Sequence, residues 1–108
     1  MTLDYRLKRE KDFNLVFNKG KRIYSKTLTV VYYPSNQLKV GFAVSKKHGG
    51  SVVRNRIKRL LRESFRSFMP KIRQNFFFVF IPKVNEEYPL KEFIESMEFI
   101  FKKGGFLE

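Results

Sequence analysis

Arg54-Asn55-Arg56-x-Lys58-Arg59-x-x-Arg62 concentrates guanidinium groups at a spacing suited to one kind of chemistry, the binding of an extended polyanion. An arginine fork meets phosphate bidentately, whereas a lysine is a hydrated point charge. Arg54, Arg56, Lys58, Arg59, Arg62 and Arg66 are set against a single acid, Glu63, so pairing along a helix cannot neutralise them. A charged outer face is usually only a solvated surface, but solubility is served by mixed signs and favours no particular side chain. Here every cation but Lys58 is arginine. Asn55, between two of them, adds an amide that can read a base edge or a 2′-hydroxyl.

The groups that a protein nuclease needs are scarcer. Phosphodiester hydrolysis by side chains calls for a general base and acid at the scissile phosphate, or for carboxylates that hold metal. His48 is the one histidine, and its place in a basic loop suits a loop or phosphate-contact role better than catalysis. Asp12 reads as support for the start of a helix. Glu86, Glu87, Glu92, Glu95 and Glu98 read as a solvated helix face and its approach, with no two-metal spacing among them. Cysteine is absent, so neither a disulfide nor a thiolate metal site is available. No catalytic residue and no metal bound by the protein alone are expected.

The chain's 108 residues, 43% hydrophobic with thirteen Phe, suit one domain with a small core. The formal charge of +13 is unevenly placed, since residues 19–73 hold fifteen basic residues and one acid. Polyanion binding follows, by nucleic acid or by an anionic membrane surface. No apolar run approaches the roughly 18 residues needed to span a bilayer, and the apolar side of the basic stretch has core-like spacing, so nucleic acid is favoured. Residues 1–9 carry no secretory h-region or cleavage site. They read as a mobile basic arm, 1–8, on a cytoplasmic protein.

The elements that position these residues follow from periodicity. Over 51–68, at about 100° per residue, Val53, Ile57, Leu60, Leu61, Ser64, Phe65 and Phe68 share one arc, and Asn55, Arg56, Lys58, Arg59, Arg62 and Arg66 the other. Arg54 lies near the seam, in the first turn, where a long side chain can swing free. Phe13, Val16 and Phe17 mark a short helix over 11–19, with Gly20 at its C-terminal end. Residues 23–33 and 38–45 read as strands joined by the turn cluster 34–37, hence as a hairpin. Residues 75–81 are apolar on both faces, which belongs in a sheet interior. Leu90, Phe93, Ile94, Met97, Ile100 and Phe101 recur at helical spacing, and Gly104-Gly105 end the run, leaving 104–108 as a short tail. The class is α+β, a two-layer α/β sandwich of order α-β-β-(β)-α-β-α, the bracketed strand depending on whether residues 22–26 form their own. The glycine-bearing loop 46–51 opens onto a helix N-terminus, which favours anions, but it lacks the spacing of a P-loop.

Three ordered blocks carry a family resemblance: Asp12-Phe13-x-x-Val16-Phe17-x-x-Gly20, Val44-Ser45-Lys46-Lys47, and Arg54-Asn55-Arg56-x-Lys58-Arg59-x-x-Arg62. Together they resemble the bacterial ribonuclease P protein subunit, over roughly residues 7–103. The resemblance implies the ribosomal protein S5 domain 2-like fold, with a left-handed β-α-β crossover where the general rule favours the right hand in about 98% of cases. It implies that an RNA partner is the catalyst and positions Mg2+, while the protein binds the ribonuclease P catalytic RNA and the 5′ leader of precursor tRNA, with no obligate protein partner. Arg54, Asn55, Arg56, Lys58, Arg59 and Arg62, with Lys46 and Lys47, match its RNA-contacting motif. Phe13 and Phe17 match aromatic positions of its leader cleft, between the first helix and the sheet, against the reading that a Phe stripe is usually core. Arg22 and Lys26 are further backbone-contact candidates there. A ribosomal or assembly protein and a self-sufficient ribonuclease are the rival classes.

Overall fold

The computed structural model describes residues 5–108. Its elements are α1 (Glu10–Lys19), β1 (Lys21–Tyr24), β2 (Leu28–Pro34), β3 (Lys39–Phe42), α2 (Ser51–Arg66), β4 (Phe76–Pro82) and α3 (Leu90–Gly104), with short 3-10 turns at Lys46–His48 and Met69–Lys71. Residues 21–24 form their own strand. The turn into β2 is held by Ser25, whose Oγ donates to the Leu28 carbonyl at 2.6 Å.

The sheet order is β1-β2-β4-β3, with β2 antiparallel to both of its neighbours, β1 and β4, and β3 parallel to β4. The expected hairpin of the second and third strand segments is therefore corrected: β4 lies between them. Its run of Phe76, Phe77, Phe78, Val79, Phe80 and Ile81 has apolar side chains for both faces, and a central position covers both. The hairpin that does form is β1 with β2.

The left hand of the β3-α2-β4 crossover follows from residue chirality. Val40 sends its side chain into the core beneath α2, where it clusters with Ile57, Leu61 and Phe65. Its N–H and C=O turn away from β4, to Tyr5 O (2.7 Å) and from Leu7 N (2.9 Å). For an L-residue on a strand drawn upward with its side chain toward the viewer, those groups point right. β4 is thus on the left, and α2 crosses in front from right to left.

The same bonds revise the arm. Residues 5–7 run along the free edge of β3, with Leu7 buried, so that part is docked rather than mobile; residues 1–4 lie outside the described residues. The tail is docked as well. Gly105 takes the left-handed conformation (φ 68°) that ends α3, and Phe106 is buried against Tyr32, Phe76 and Phe78.

Alternation then divides the faces. Leu28, Val30, Val40, Phe78 and Phe80 face α2 and α3 and build the main core with Ile57, Leu61, Phe65, Phe93, Met97 and Phe101. Val31, Phe77 and Val79 face the other way, into a smaller cluster with Leu7 and Val16 beneath α1. The sheet and the α2/α3 layer make the sandwich, and α1 lies across the opposite face.

Candidate nucleic-acid interface

Helix α2 buries Ile57, Leu61, Ser64 and Phe65 and leaves Asn55, Arg56, Arg59, Arg62 and Arg66 exposed, with Lys58 half-buried. None of its cations is in an ion pair among the described residues, where the pairs found are Lys26–Glu92 and Lys102–Glu98. The expected two-faced helix is present, shifted at its first turn. Val53, expected on the buried arc, is 41% exposed. Arg54 is half-buried, and its Nε is shut off from solvent without a hydrogen-bond partner. Its stem is packed down rather than swung free, which restricts its rotamers before any anion arrives.

Lys46 and Lys47 are exposed on a turn that is tied down at both ends. Ser45 caps it by accepting from Lys47 N, and His48 completes the reciprocal arrangement. The buried imidazole of His48 has both nitrogens engaged: Nε2 donates to the Pro82 carbonyl at 2.7 Å, and Nδ1 accepts from Ser45 N–H at 3.1 Å. A carbonyl can only accept and an amide N–H can only donate, so the tautomer is set by the fold. His48 is an anchor between this loop and the end of β4. It presents neither a free base nor a phosphate contact. The N-terminus of α2 follows with Gly50 as its cap residue and no side-chain cap, so its first N–H groups add to the positive end of the helix beside the two lysines.

A second surface lies on the far side of the sheet. Phe13 and Phe17 are half-buried on α1, one turn apart, with ring centroids 6.4 Å apart and planes 21° from parallel. Both pack against the Val16, Val31, Phe77 and Val79 cluster. Gly41 makes room for this: a Cβ there would sit 2.6 Å from the Phe13 ring. Each ring thus has one side on the core and part left open, so the core and contact readings of the stripe both describe it. Thr29, Val31 and Tyr33 share this face, and Tyr32 packs on the other against Phe76 and Phe106. Half-buried Tyr33, Ile81 and Ala43 extend the groove beside α1.

Arg22, exposed and paired in register with Val31, shares the groove face. Lys26 does not belong there. It sits on the β1–β2 turn, which docks on α3 through Thr27 and Ser96 (2.6 Å between hydroxyls), and its Nζ lies 3.5 Å from Glu92. Phe77 and Ile81, which the sequence alone did not mark as groove residues, and Tyr33, which alternation left on a face of unknown role, carry a period-2 signal that needed only the knowledge of which face α1 covers.

Among the described residues, no three or more His, Asp or Glu side chains come together to hold a metal ion, and no helix is long and apolar enough to cross a membrane. A guanidinium-rich helix, a cationic loop and an aromatic groove on one small α+β scaffold define the class as an RNA-binding protein. The family model described as Ribonuclease P matches residues 1–105. The ribonuclease P protein component of Alkaliphilus metalliredigens is 38% identical over 107 residues, covering 95% of this chain and 96% of its own. That of Caldanaerobacter subterraneus subsp. tengcongensis is 43% identical over 99 residues, covering 85% and 84%. Among solved structures, the Staphylococcus aureus RNase P protein superposes with a TM-score of 0.84 at 26% identity over 98% of this chain and 100% of that one. The Thermotoga maritima RNase P protein gives 0.81 at 28% over 91% and 96%. The chain belongs to the ribonuclease P protein family.

Proposed function

We propose that this protein is the protein subunit of ribonuclease P, binding the catalytic RNA through α2 and the 46–47 turn and the single-stranded 5′ leader of precursor tRNA in the α1 groove. The observation that carries the reading is the arginine face of α2, without ion pairs among the described residues, together with the half-open Phe13–Phe17 pair across the sheet. Arg54, Asn55, Arg56, Lys58, Arg59 and Arg62 supply phosphate forks and one amide to folded RNA. Phe13, Phe17 and Tyr33 offer faces on which successive bases stack without a sequence requirement, each worth about 1–3 kcal/mol. Arg22 supplies a phosphate contact at the groove's β1 edge.

The reaction is hydrolysis of the phosphodiester that joins leader to tRNA. Mg2+, held mainly by the RNA partner as the family resemblance implies, would supply the Lewis acid. The protein's share is to neutralise charge where two RNAs approach and to hold the leader in line.

Phe17→Leu tests the groove. It keeps most of the apolar volume and removes the ring face. On the reconstituted particle it should weaken leader-bearing precursor by about 1–3 kcal/mol, while mature tRNA and the catalytic RNA bind as before. Equal affinity of variant and parent for the precursor would make Phe17 a core residue only.

A further inference from the structure

Helix α2 and the loop between β4 and α3 enclose a cavity of about 520 Å³, within the roughly 300–1,000 Å³ of small-molecule sites. Val53, Ile57 and Leu60 form its wall on α2, and Tyr88 and Pro89 its wall on the loop. Val53 is exposed, and Leu60 and Tyr88 are half-buried, so apolar surface is left open inside it. The loop is already shaped. Asn85 N–H donates to the Tyr88 hydroxyl at 2.9 Å, and Asn85 Oδ1 accepts from Glu86 N–H at 2.8 Å. The Tyr88 ring stacks on buried Phe93, with centroids 6.1 Å apart. Tyr88 is thus held as a flat platform.

The charges at the cavity select its ligand. Arg56 stands on the α2 side, and Glu86 and Glu87 on the loop side. All three are exposed, and among the described residues none is in an ion pair. His48 also lines the cavity, but both of its nitrogens are engaged by the fold. Opposite charges that share a cavity without closing on each other suit a ligand with donors on one edge and acceptors on another. A carboxylate only accepts and a guanidinium only donates. Guanine alone among the nucleobases places two donors, N1–H and N2–H, side by side for one carboxylate, and its O6 and N7 take a guanidinium fork. Its ring suits the slot between Tyr88 and the aliphatic wall, since unstacked bases settle on aromatic side chains.

We propose that this cavity is a guanine-binding pocket. Glu86 or Glu87 accepts from N1–H and N2–H, Arg56 donates to O6 and N7, and the purine lies against Tyr88. Arg56, at the border of the RNA surface, then has a base edge rather than a phosphate as its partner. The shared chemistry is an unstacked guanine, carried by an RNA strand at α2 or by a free guanine nucleotide. The pocket is separate from the α1 groove and does not rest on the leader reading.

Equilibrium dialysis of the full chain against GMP, IMP and AMP tests this. GMP should bind about tenfold or more tightly than IMP, which lacks only the 2-amino donor, and than AMP. The double variant Glu86→Gln with Glu87→Gln, at exposed positions, should lower GMP affinity by about tenfold with the thermal midpoint unmoved. AMP, which reports phosphate binding on the basic surface, should bind the variant as it binds the parent. The same titration on the particle reconstituted with a bacterial ribonuclease P RNA separates the two sources. GMP shut out of the particle, with the double variant weakening the RNA, assigns the pocket to a guanine of that RNA. GMP binding retained in the particle assigns it to a free nucleotide. The proposal is overturned by equal affinities for GMP, IMP and AMP, by no GMP binding at millimolar concentration, or by unchanged GMP affinity in the double variant. GMP shut out of the particle while the variant holds the RNA as tightly as the parent overturns it as well. None of these failures touches the ribonuclease P reading, whose own tests use salt and the leader.

Discussion

Raising monovalent salt from about 50 to 200 mM should weaken the complex of this protein with its catalytic RNA by about a thousandfold or more, if six phosphates are contacted and RNA behaves like duplex DNA. The expected log–log slope is on the order of −5. The basis is structural. The α2 cations have no carboxylate partners among the described residues, so the RNA phosphates would be their first neutralising contacts, and the counterions they displace are released. Because the backbone of the turn bearing Lys46 and Lys47 is pinned by His48, only the two lysine side chains remain to be ordered there on binding. Titration of the purified protein into the RNA at several salt concentrations gives the slope, and a nearly flat line would remove the electrostatic account.

Ile57→Ala and Leu61→Ala should each cost roughly 2–5 kcal/mol of folding stability. Both side chains are completely enclosed between α2, the sheet and α3, with Phe65, Phe78 and Phe80 in the same cluster, so truncation leaves a cavity that close packing cannot fill. Arg59→Ala and Arg62→Ala should do the opposite. They stand on the exposed face, where truncation changes stability by no more than about 0.5 kcal/mol, yet each removes a fork from the RNA surface. Thermal unfolding and RNA titration on the same four variants check both halves. Unfolding by the arginine variants, with the aliphatic ones intact, would mean that the faces are inverted.

Much of this architecture was legible in the sequence because the α2 pattern has a single solution. Hydrophobic residues at helical spacing and cations elsewhere leave one way to bury the helix, and Ile57, Leu61 and Phe65 are where that pattern puts them. The doubly apolar run over 75–81 likewise indicated a central strand. What periodicity could not supply was which strands are neighbours. The segments later seen as β2 and β3 read as a hairpin because they are consecutive, whereas β4 arrives from forty residues downstream and displaces one from the other. The hand of the crossover was equally invisible to pattern, and came from the resemblance.

At the site, the arginine face was readable and the groove only partly so. Alternation put Thr29, Val31 and Tyr33 on one face and Tyr32 on the other, but it could not say which face α1 covers; that is fixed by the long-range contact of Phe13 with Gly41. Lys26 was assigned to the groove from its place near β2, and the turn instead bends to α3, where Thr27, Ser96 and Glu92 hold it. Val53 departs from the helical wheel, standing 41% exposed in the first turn of α2, while Arg54 stays half-buried at the seam. The docked segments 5–7 and 106–108 gave no periodic signal because each makes one isolated bridge rather than a ladder.

Cleavage of precursor tRNA by the purified protein with and without a bacterial ribonuclease P RNA tests the central claim most directly, that the protein binds and the RNA cuts. With the RNA and Mg2+ present, addition of the protein should raise cleavage and favour leader-bearing substrate over mature tRNA in binding. The protein alone should leave the precursor intact. Cleavage by the protein alone, abolished by His48→Ala in a variant that still folds, would contradict the account and make this chain a ribonuclease in its own right.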